Sequence, residues 1–348
     1  GAPGIHHNMK NIYPIKKILL TAMIALIVMV NPVEAKYGKN KVQYRGMDWS
    51  FIQTPHFDVY FYEGGESIAE FAANVAEKSY DQISYQLDWR LSKRIAILVY
   101  NSHNDFQQTN VTLGYLQEGI GGFTELFKNR VVLPFEGSYE QFRHVLHHEL
   151  THAVVNDLIF GGNVQSIVSG KMRVNIPLWL SEGYAEYSSL DWDSRADMII
   201  RDAAINGSLP PIQYLNYYMA YKGGQSVVRY IGETFGVERI GEILHETRHF
   251  KDVPKAIENT LHLDLETLTE KWHFSVRKDY WPDIEGRSNL DDVGHRLTDH
   301  SKIRNYFNVS PAISPNGGKV AFLSDRSGYA DIYVMSSDDG RELTKIIS

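Results

Sequence analysis

His148-Glu149-Leu150-Thr151-His152 reads H-E-x-x-H. On a helix, residues four apart share a side, so His148 and His152 can offer two imidazoles to one metal ion. Glu149 stands about 100° round from His148, within reach of a water at that ion. The arrangement suits a zinc ion that activates water for hydrolysis. A histidine-rich helix without metal is the plainer reading; a helical setting and a third ligand separate the two.

The helical setting is present. Ser138 with Gln141 three residues on is a capping-box pattern. Phe142, Val145, Leu146, Leu150, Ala153 and Val154 follow as an apolar stripe at helical spacing, and Gly161-Gly162 makes a stop. His144 and His147 lie on this helix outside the pair and read as surface residues or as supports around the ligands. Downstream, Pro177 suits a helix start, and Glu182 and Glu186 fall one turn apart. Trp179, Leu180, Tyr184 and Tyr187 mark that helix as mostly buried. Buried carboxylates need partners or a metal, so this helix is a natural source of the third ligand. A solvated acidic face is the alternative.

Upstream, His56–Tyr62 alternates as a strand, Ser67–Leu87 has amphipathic helical spacing, and Arg94–Tyr100 is a β-branched run. Gly121–Glu125 and Arg130–Pro134 read as two more strands joined around Lys128-Asn129. Asn163–Asn175 reads as a hairpin or a lid loop, and Phe235–Phe250 and Val253–Tyr280 as a run of helices. His245, His249, His262 and His273 are scattered there and read as surface or core residues. The expected class is α+β: a small mixed sheet, the helices carrying the motif, and a helical C-terminal part.

H-E-L-T-H at 148–152 followed by W-L-S-E-G-Y-A-E-Y at 179–187 resembles the gluzincin metallopeptidases, the aminopeptidase-N-like enzymes and the related peptidase-MA-like domains. The resemblance covers roughly residues 50 to 285. It implies a zincin-like domain holding one Zn²⁺ on His148, His152 and Glu182, with Glu149 as general base. It implies that Glu186 orients His148. Tyr221-Lys222-Gly223-Gly224 is similar to the family's Y-x-K-G pattern, which implies an oxyanion-steadying role for Tyr221; Gly stands at its third position instead of Lys. The substrate would lie along the strand at Gly121, Gly122 and Phe123, where the family's signature for binding a peptide N-terminus is not matched.

Composition limits the rest. The 348 residues carry a net charge of -7 with no basic stripe, which argues against a nucleic-acid partner. No cysteine is present, so a metal must be held by His and carboxylate, and an oxidising compartment is compatible. Residues 1–8 read as an artefact upstream of a natural start at Met9. Lys10, Lys16 and Lys17, the apolar run Ile18–Val30 and Val33-Glu34-Ala35 make residues 9–35 a signal peptide, cleaved after Ala35. The protein is then expected to be exported, to the bacterial periplasm or the cell surface, touching a membrane only through that segment if it is uncleaved. The metallopeptidase domain is expected at 36–285 and a polar linker at 286–305. In 306–348, S-P-N-G, F-L-S-D-R-S-G and D-I-Y resemble one blade of a TolB-like, WD-type β-propeller, read as strand, turn, strand, turn, strand. A propeller needs several blades, so the sequence is expected to be a fragment of a longer protein, or the blade to be poorly ordered; a small β-appendage of the protease domain is the alternative.

The expected function is an exported zinc metallopeptidase acting on a peptide or protein substrate. Two alternatives stand beside it. One is a propeller-bearing scaffold that binds protein partners and keeps a structural zinc site. The other is a zinc hydrolase of non-peptide amides or esters.

Overall fold

Alternating apolar residues build a five-stranded mixed sheet in the first part of the chain. The structure is a computed structural model that describes residues 41–161 except 45, 113, 115, 117 and 118, residues 174–299 except 289, and residues 307–347. The expected signal peptide at 9–35, the leader at 1–8 and residues 163–173 of the expected hairpin or lid lie outside the described residues.

The strands are β1 (Ser50–Gln53), β2 (Phe57–Phe61), β3 (Ile95–Tyr100), β4 (Phe123–Glu125) and β5 (Arg130–Pro134), in the order β1-β2-β3-β5-β4. β2, β3 and β5 run parallel, and β1 and β4 are antiparallel edges. Helix α1 (Glu66–Leu87) packs on β2 with Ile68, Ala72, Val75, Ala76 and Ile83. Helix α2 (His103–Gln107) follows β3 and buries Phe106. Val132 alternates with Leu133 along β5 and so turns to the other face, where it joins Tyr62, Tyr100, Phe106 and Leu116 in one cluster.

Helix α3 (Tyr139–Phe160) is central. Ser138 caps it, its hydroxyl accepting from the Gln141 N–H at 3.2 Å. Gly161 ends it with φ 64°, a left-handed cap that suits glycine. From Leu146 to Ile159 nearly every residue is buried, because β4, β5, α1, α4 (Leu178–Leu190) and α7 (Glu238–Phe250) surround it. A helix enclosed on most sides buries polar residues along with apolar ones, here His147, His148, Glu149, Thr151 and Asp157, and these must find partners.

The remaining helices are α5 (Ser194–Ile205), α6 (Tyr217–Phe235), α8 (Val253–Leu261) and α9 (Leu265–Tyr280). The sequence reading omitted β1 and α2, which are short, and α5, whose buried Ala196, Ile200, Ala203 and Ala204 keep helical spacing. α6 begins at Tyr217 and holds Tyr221 within its second turn. β4 begins at Phe123, so Gly121 and Gly122 lead into the strand.

α4 and α6 cross at two glycines. A Cβ on Gly183 would stand 2.7 Å from the Gly224 carbonyl oxygen. One on Gly224 would stand 2.9 Å from Gly183 Cα and closer still to the Trp179 carbonyl. Only glycine at both positions lets the two backbones touch.

The chain divides into two units: one takes residues through Ala203 and Ser208–His273, the other Ala204–Gly207 and Phe274–Ser348, so the boundary falls inside α9. In the second unit β6 (Asn308–Ile313), β7 (Lys319–Ser324), β8 (Asp331–Ser336) and β9 (Thr344–Ile347) pair antiparallel in chain order. The sequence reading had three strands here; β9 is a fourth. Phe322, Tyr333 and Met335 form its small core, and the Arg326 guanidinium lies over both rings. Within the stretch expected as a linker, Leu290–Val293 forms a helical turn. Among the described residues, no helix is long and apolar enough to cross a membrane.

Gly224→Ala is expected to lower the free energy of unfolding in urea by about 2–3 kcal/mol, the usual cost of overpacking a close contact. An unchanged denaturation midpoint would show that the helices can separate freely.

Candidate active site

Three polar atoms converge between α3 and α4. Nε2 of His148 and Nε2 of His152 lie 3.1 Å apart, and each is 3.2 Å from Oε2 of Glu182. His148 and His152 come from one side of α3, four residues apart, and Glu182 comes from the first turns of α4. Among the described residues, this trio is the group whose donor atoms could share a metal ion. Tetrahedral coordination with bonds of about 2.0–2.1 Å has ligand-to-ligand edges of about 3.3–3.4 Å, close to the separations here. Two imidazoles and a carboxylate are also a donor set that zinc accepts.

The electrostatics call for a cation. Burial works against a charge on His148, but Glu182, Glu186 and Glu149 outweigh it and push its imidazole up to about 10. Burial likewise opposes a charge on Glu182, yet His148 and His152 hold it down at about 2. A proton on His148 therefore occupies the charge deficit that a metal would fill.

Each ligand has a support. Glu186 Oε1 lies 3.0 Å from His148 Nδ1, one turn of α4 beyond Glu182. Ser181 Oγ lies 3.3 Å from His152 Nδ1. Such partners fix the ring orientation and tautomer of a ligating histidine. Glu186 is itself held. Buried Lys222 on α6 gives it an ammonium at 2.5 Å and reaches Asp193 at 2.8 Å and the Gln225 side-chain oxygen at 3.1 Å. Burial opposes the charge of both acids, but His148 and Lys222 hold Glu186 at about 2, and Lys222 holds Asp193 there too.

Glu149 is gripped from β4. The Thr124 hydroxyl lies 2.7 Å from Glu149 Oε2 and 2.8 Å from the Glu149 carbonyl, and its proton can serve either. Gly122, on the same face of the strand by alternation, lets the backbone close on the glutamate stem. A Cβ there would meet Val145 at 3.0 Å and Glu149 Cγ at 3.3 Å. Asn129 Nδ2 donates to the Ala153 carbonyl at 2.8 Å, so the β4–β5 hairpin is tied to α3 at both ends.

Tyr221 enters from α6. Its ring stacks on His148, 6.2 Å between centroids and 14° between planes. Burial and the carboxylates Glu182, Glu149 and Glu186 push its hydroxyl up to about 12, so it keeps its proton at neutral pH. Gly122, Thr124, His148, Glu149, Glu182 and Tyr221 line a cleft of about 420 Å³. Phe123 lines it as well, whereas Gly121 faces Val145 of α3.

The other histidines have separate roles. His147 is buried with Nε2 2.9 Å from Ser188 Oγ, and burial lowers its pKa to about 4, so it is a neutral core residue. His144 Nε2 lies 3.6 Å from Glu186 Oε1 and is partly buried. His245 and His273 are spent on the carbonyls of Leu87 and Pro210.

Thr124, Ser181, Asp193, Lys222 and Gln225 were not singled out as site residues in the sequence. A signal existed for Lys222: one cation inside Ala220–Val228, an otherwise uncharged run, needs an acid if the helix is buried. None existed for Thr124, because the sequence does not say which face of a three-residue strand meets the helix.

The model of a protein family described as the Peptidase MA superfamily matches residues 75–278, more than half of the 348-residue chain. No curated protein matches the chain.

Lys222→Met strands the buried Glu186 carboxylate and the half-buried Asp193 carboxylate and is expected to destabilise the metal-free protein by about 3 kcal/mol at pH 7. Glu186 and Asp193 have folded pKa values of about 2, below their usual 4.5 and 3.8. Their contribution is therefore full above about pH 5 and lost as pH falls toward 2. The difference between wild type and variant should shrink over that range; thermal unfolding followed by circular dichroism from pH 7 to 2.5 measures it.

Proposed function

Since the chain belongs to the Peptidase MA superfamily, we propose that it is a zinc-dependent metallopeptidase that hydrolyses peptide bonds. The observation that carries this reading is the convergence of His148 Nε2, His152 Nε2 and Glu182 Oε2 at 3.1–3.2 Å beside the Glu149 carboxylate. His148, His152 and Glu182 would hold one Zn²⁺. Bound there, zinc supplies Lewis acidity that makes a water nucleophilic near neutral pH.

The chain's own residues do the rest. Glu149 takes the proton of the attacking water and returns it to the leaving amine. Thr124 holds the Glu149 carboxylate toward the cleft through their 2.7 Å hydrogen bond. Tyr221, still protonated at neutral pH, donates its hydroxyl hydrogen to the oxyanion that develops as the carbonyl is attacked. Glu186, anchored by Lys222, keeps His148 in one orientation. A substrate chain adds to the edge strand β4, entered from Gly121 and Gly122, and its backbone pairs there.

Export follows from the signal pattern at 9–35. The four-stranded antiparallel sheet β6–β9 agrees with the reading of one TolB-like propeller blade, a surface that would recognise a protein partner.

Glu149→Gln, loaded with zinc, is expected to retain one metal ion per chain by atomic absorption and to lose cleavage of a peptide library by at least about 10³-fold. Retained cleavage by that variant would sink the mechanism. Thr124→Val should lower kcat about tenfold or more with KM little changed, and Thr124→Ser should restore it. A Val variant with wild-type kcat would remove Thr124 from the account.

A further inference from the structure

The cleft continues past the metal-binding trio. On α3 the ridge that carries His148 and His152 goes on through Asn156 to Phe160, each four residues further. On the opposite wall Gly122, Thr124 and Leu126 alternate along β4 and its continuation. Asn156 and Leu126 line the catalytic cleft and also a separate cavity of about 90 Å³ beyond it. Ile95, Phe127 and Phe160 give that cavity further apolar wall.

Two features of the cavity are not explained by folding. Leu126-Phe127 occupies the β4–β5 turn, where Gly, Asn, Asp or Ser is usual. Both side chains stand open to solvent, Leu126 at 40% and Phe127 at 46% exposure. The rim is also basic, in a chain of net charge -7. Lys93, Arg94 and Lys128 surround the opening. Arg94 is paired with Asp58, and Asp157 in the wall is held by Trp89 and Ser92. Glu125 of the same hairpin is taken by Arg130 and by the N–H groups of Phe127 and Lys128. Among the described residues, neither Lys93 nor Lys128 has a carboxylate partner.

From these walls and charges we infer that the cavity is a specificity subsite that takes a medium aliphatic side chain of the substrate, Leu or Met, next to an acidic residue. The inference rests on the peptidase reading of the cleft. A substrate paired with β4 advances about 3.4 Å per residue, so a side chain about two residues from the scissile bond arrives opposite Leu126. A cavity of about 150 Å³ holds a benzene ring, so one of about 90 Å³ fits an aliphatic chain and excludes an indole. The two unpaired lysines then meet the acid beside it.

Binding and cleavage test this separately. Zinc-loaded Glu149→Gln is titrated by fluorescence polarisation with four labelled ten-residue Gly/Ala peptides, which carry Leu or Ser next to Asp or Lys. The Leu-Asp peptide is expected to bind at least tenfold tighter than the other three. Adding Lys93→Glu and Lys128→Glu should reverse the preference toward Leu-Lys, with the melting temperature unchanged. Equal binding of the four peptides, no binding of any, or an unaltered preference after charge reversal would overturn the subsite. Wild-type cut sites in a proteome-derived peptide library, read by mass spectrometry, should show Leu or Met beside an acid at one fixed distance from the cut. Cuts without that pattern overturn the subsite and leave the peptidase standing. Selective binding by Glu149→Gln without any cutting by the wild type keeps the subsite and overturns the peptidase.

Discussion

The contact of Gly183 with Gly224 is the constraint on which the site depends. It brings the backbones of α4 and α6 together where a single added carbon would not fit. Glu182 stands one residue before the first glycine, and Lys222 two before the second. The crossing therefore fixes Glu182 and Glu186 against α3 while it carries Lys222 and Tyr221 to the same place. A looser crossing would leave the carboxylates at a distance from the histidines, and their separation from Nε2 of His148 and His152 is what makes a metal site conceivable.

Around that crossing the buried charges are arranged so that each has a partner. Asp193, Lys222, Glu186 and His148 form a chain of opposite charges and hydrogen bonds running from the end of α4 to the histidine pair. Taking so many ionisable groups out of water is costly, and replacing a buried ion network with apolar residues often stabilises a protein. The network thus makes more sense as a means of holding His148 in one orientation than as a source of stability. On the other side of the cleft, Thr124 and Gly122 do for Glu149 what Glu186 does for His148. Base and ligands are held by different elements, the hairpin for one and the helix pair for the others.

Much of this was legible in the residue order, and the reasons differ by element. α3 could be read because its cap, stripe and stop are local signals, and the helical spacing of His148 and His152 followed from them. Glu182 was legible through its motif, and Glu186 through its one-turn offset from Glu182. α5 was missed although Ala196, Ile200, Ala203 and Ala204, all buried, keep helical spacing. The short strand β1 was not read, because four residues leave no clear period. The fourth strand of the C-terminal sheet was missed for the same reason: Thr344–Ile347 is four residues long and gains its identity by pairing with β8. His147 looked like its neighbours His144 and His148 in sequence. Only the packing of α3 against α4 turned it toward Ser188 and into the core.

By itself the sequence determined the kinds of groups available: two imidazoles and a glutamate at helical spacing, no thiol, and glycines and acids in the following motif. Local rules suffice for these, since capping, periodicity and ligand chemistry act over a few residues. The tertiary structure decided which groups meet. Lys222 reaches Glu186 across 36 positions and Thr124 reaches Glu149 across 25. Such pairings depend on which face of a strand meets a helix and on how closely two helices can cross. No local pattern encodes those distances; they come from the packing of the whole first unit around α3.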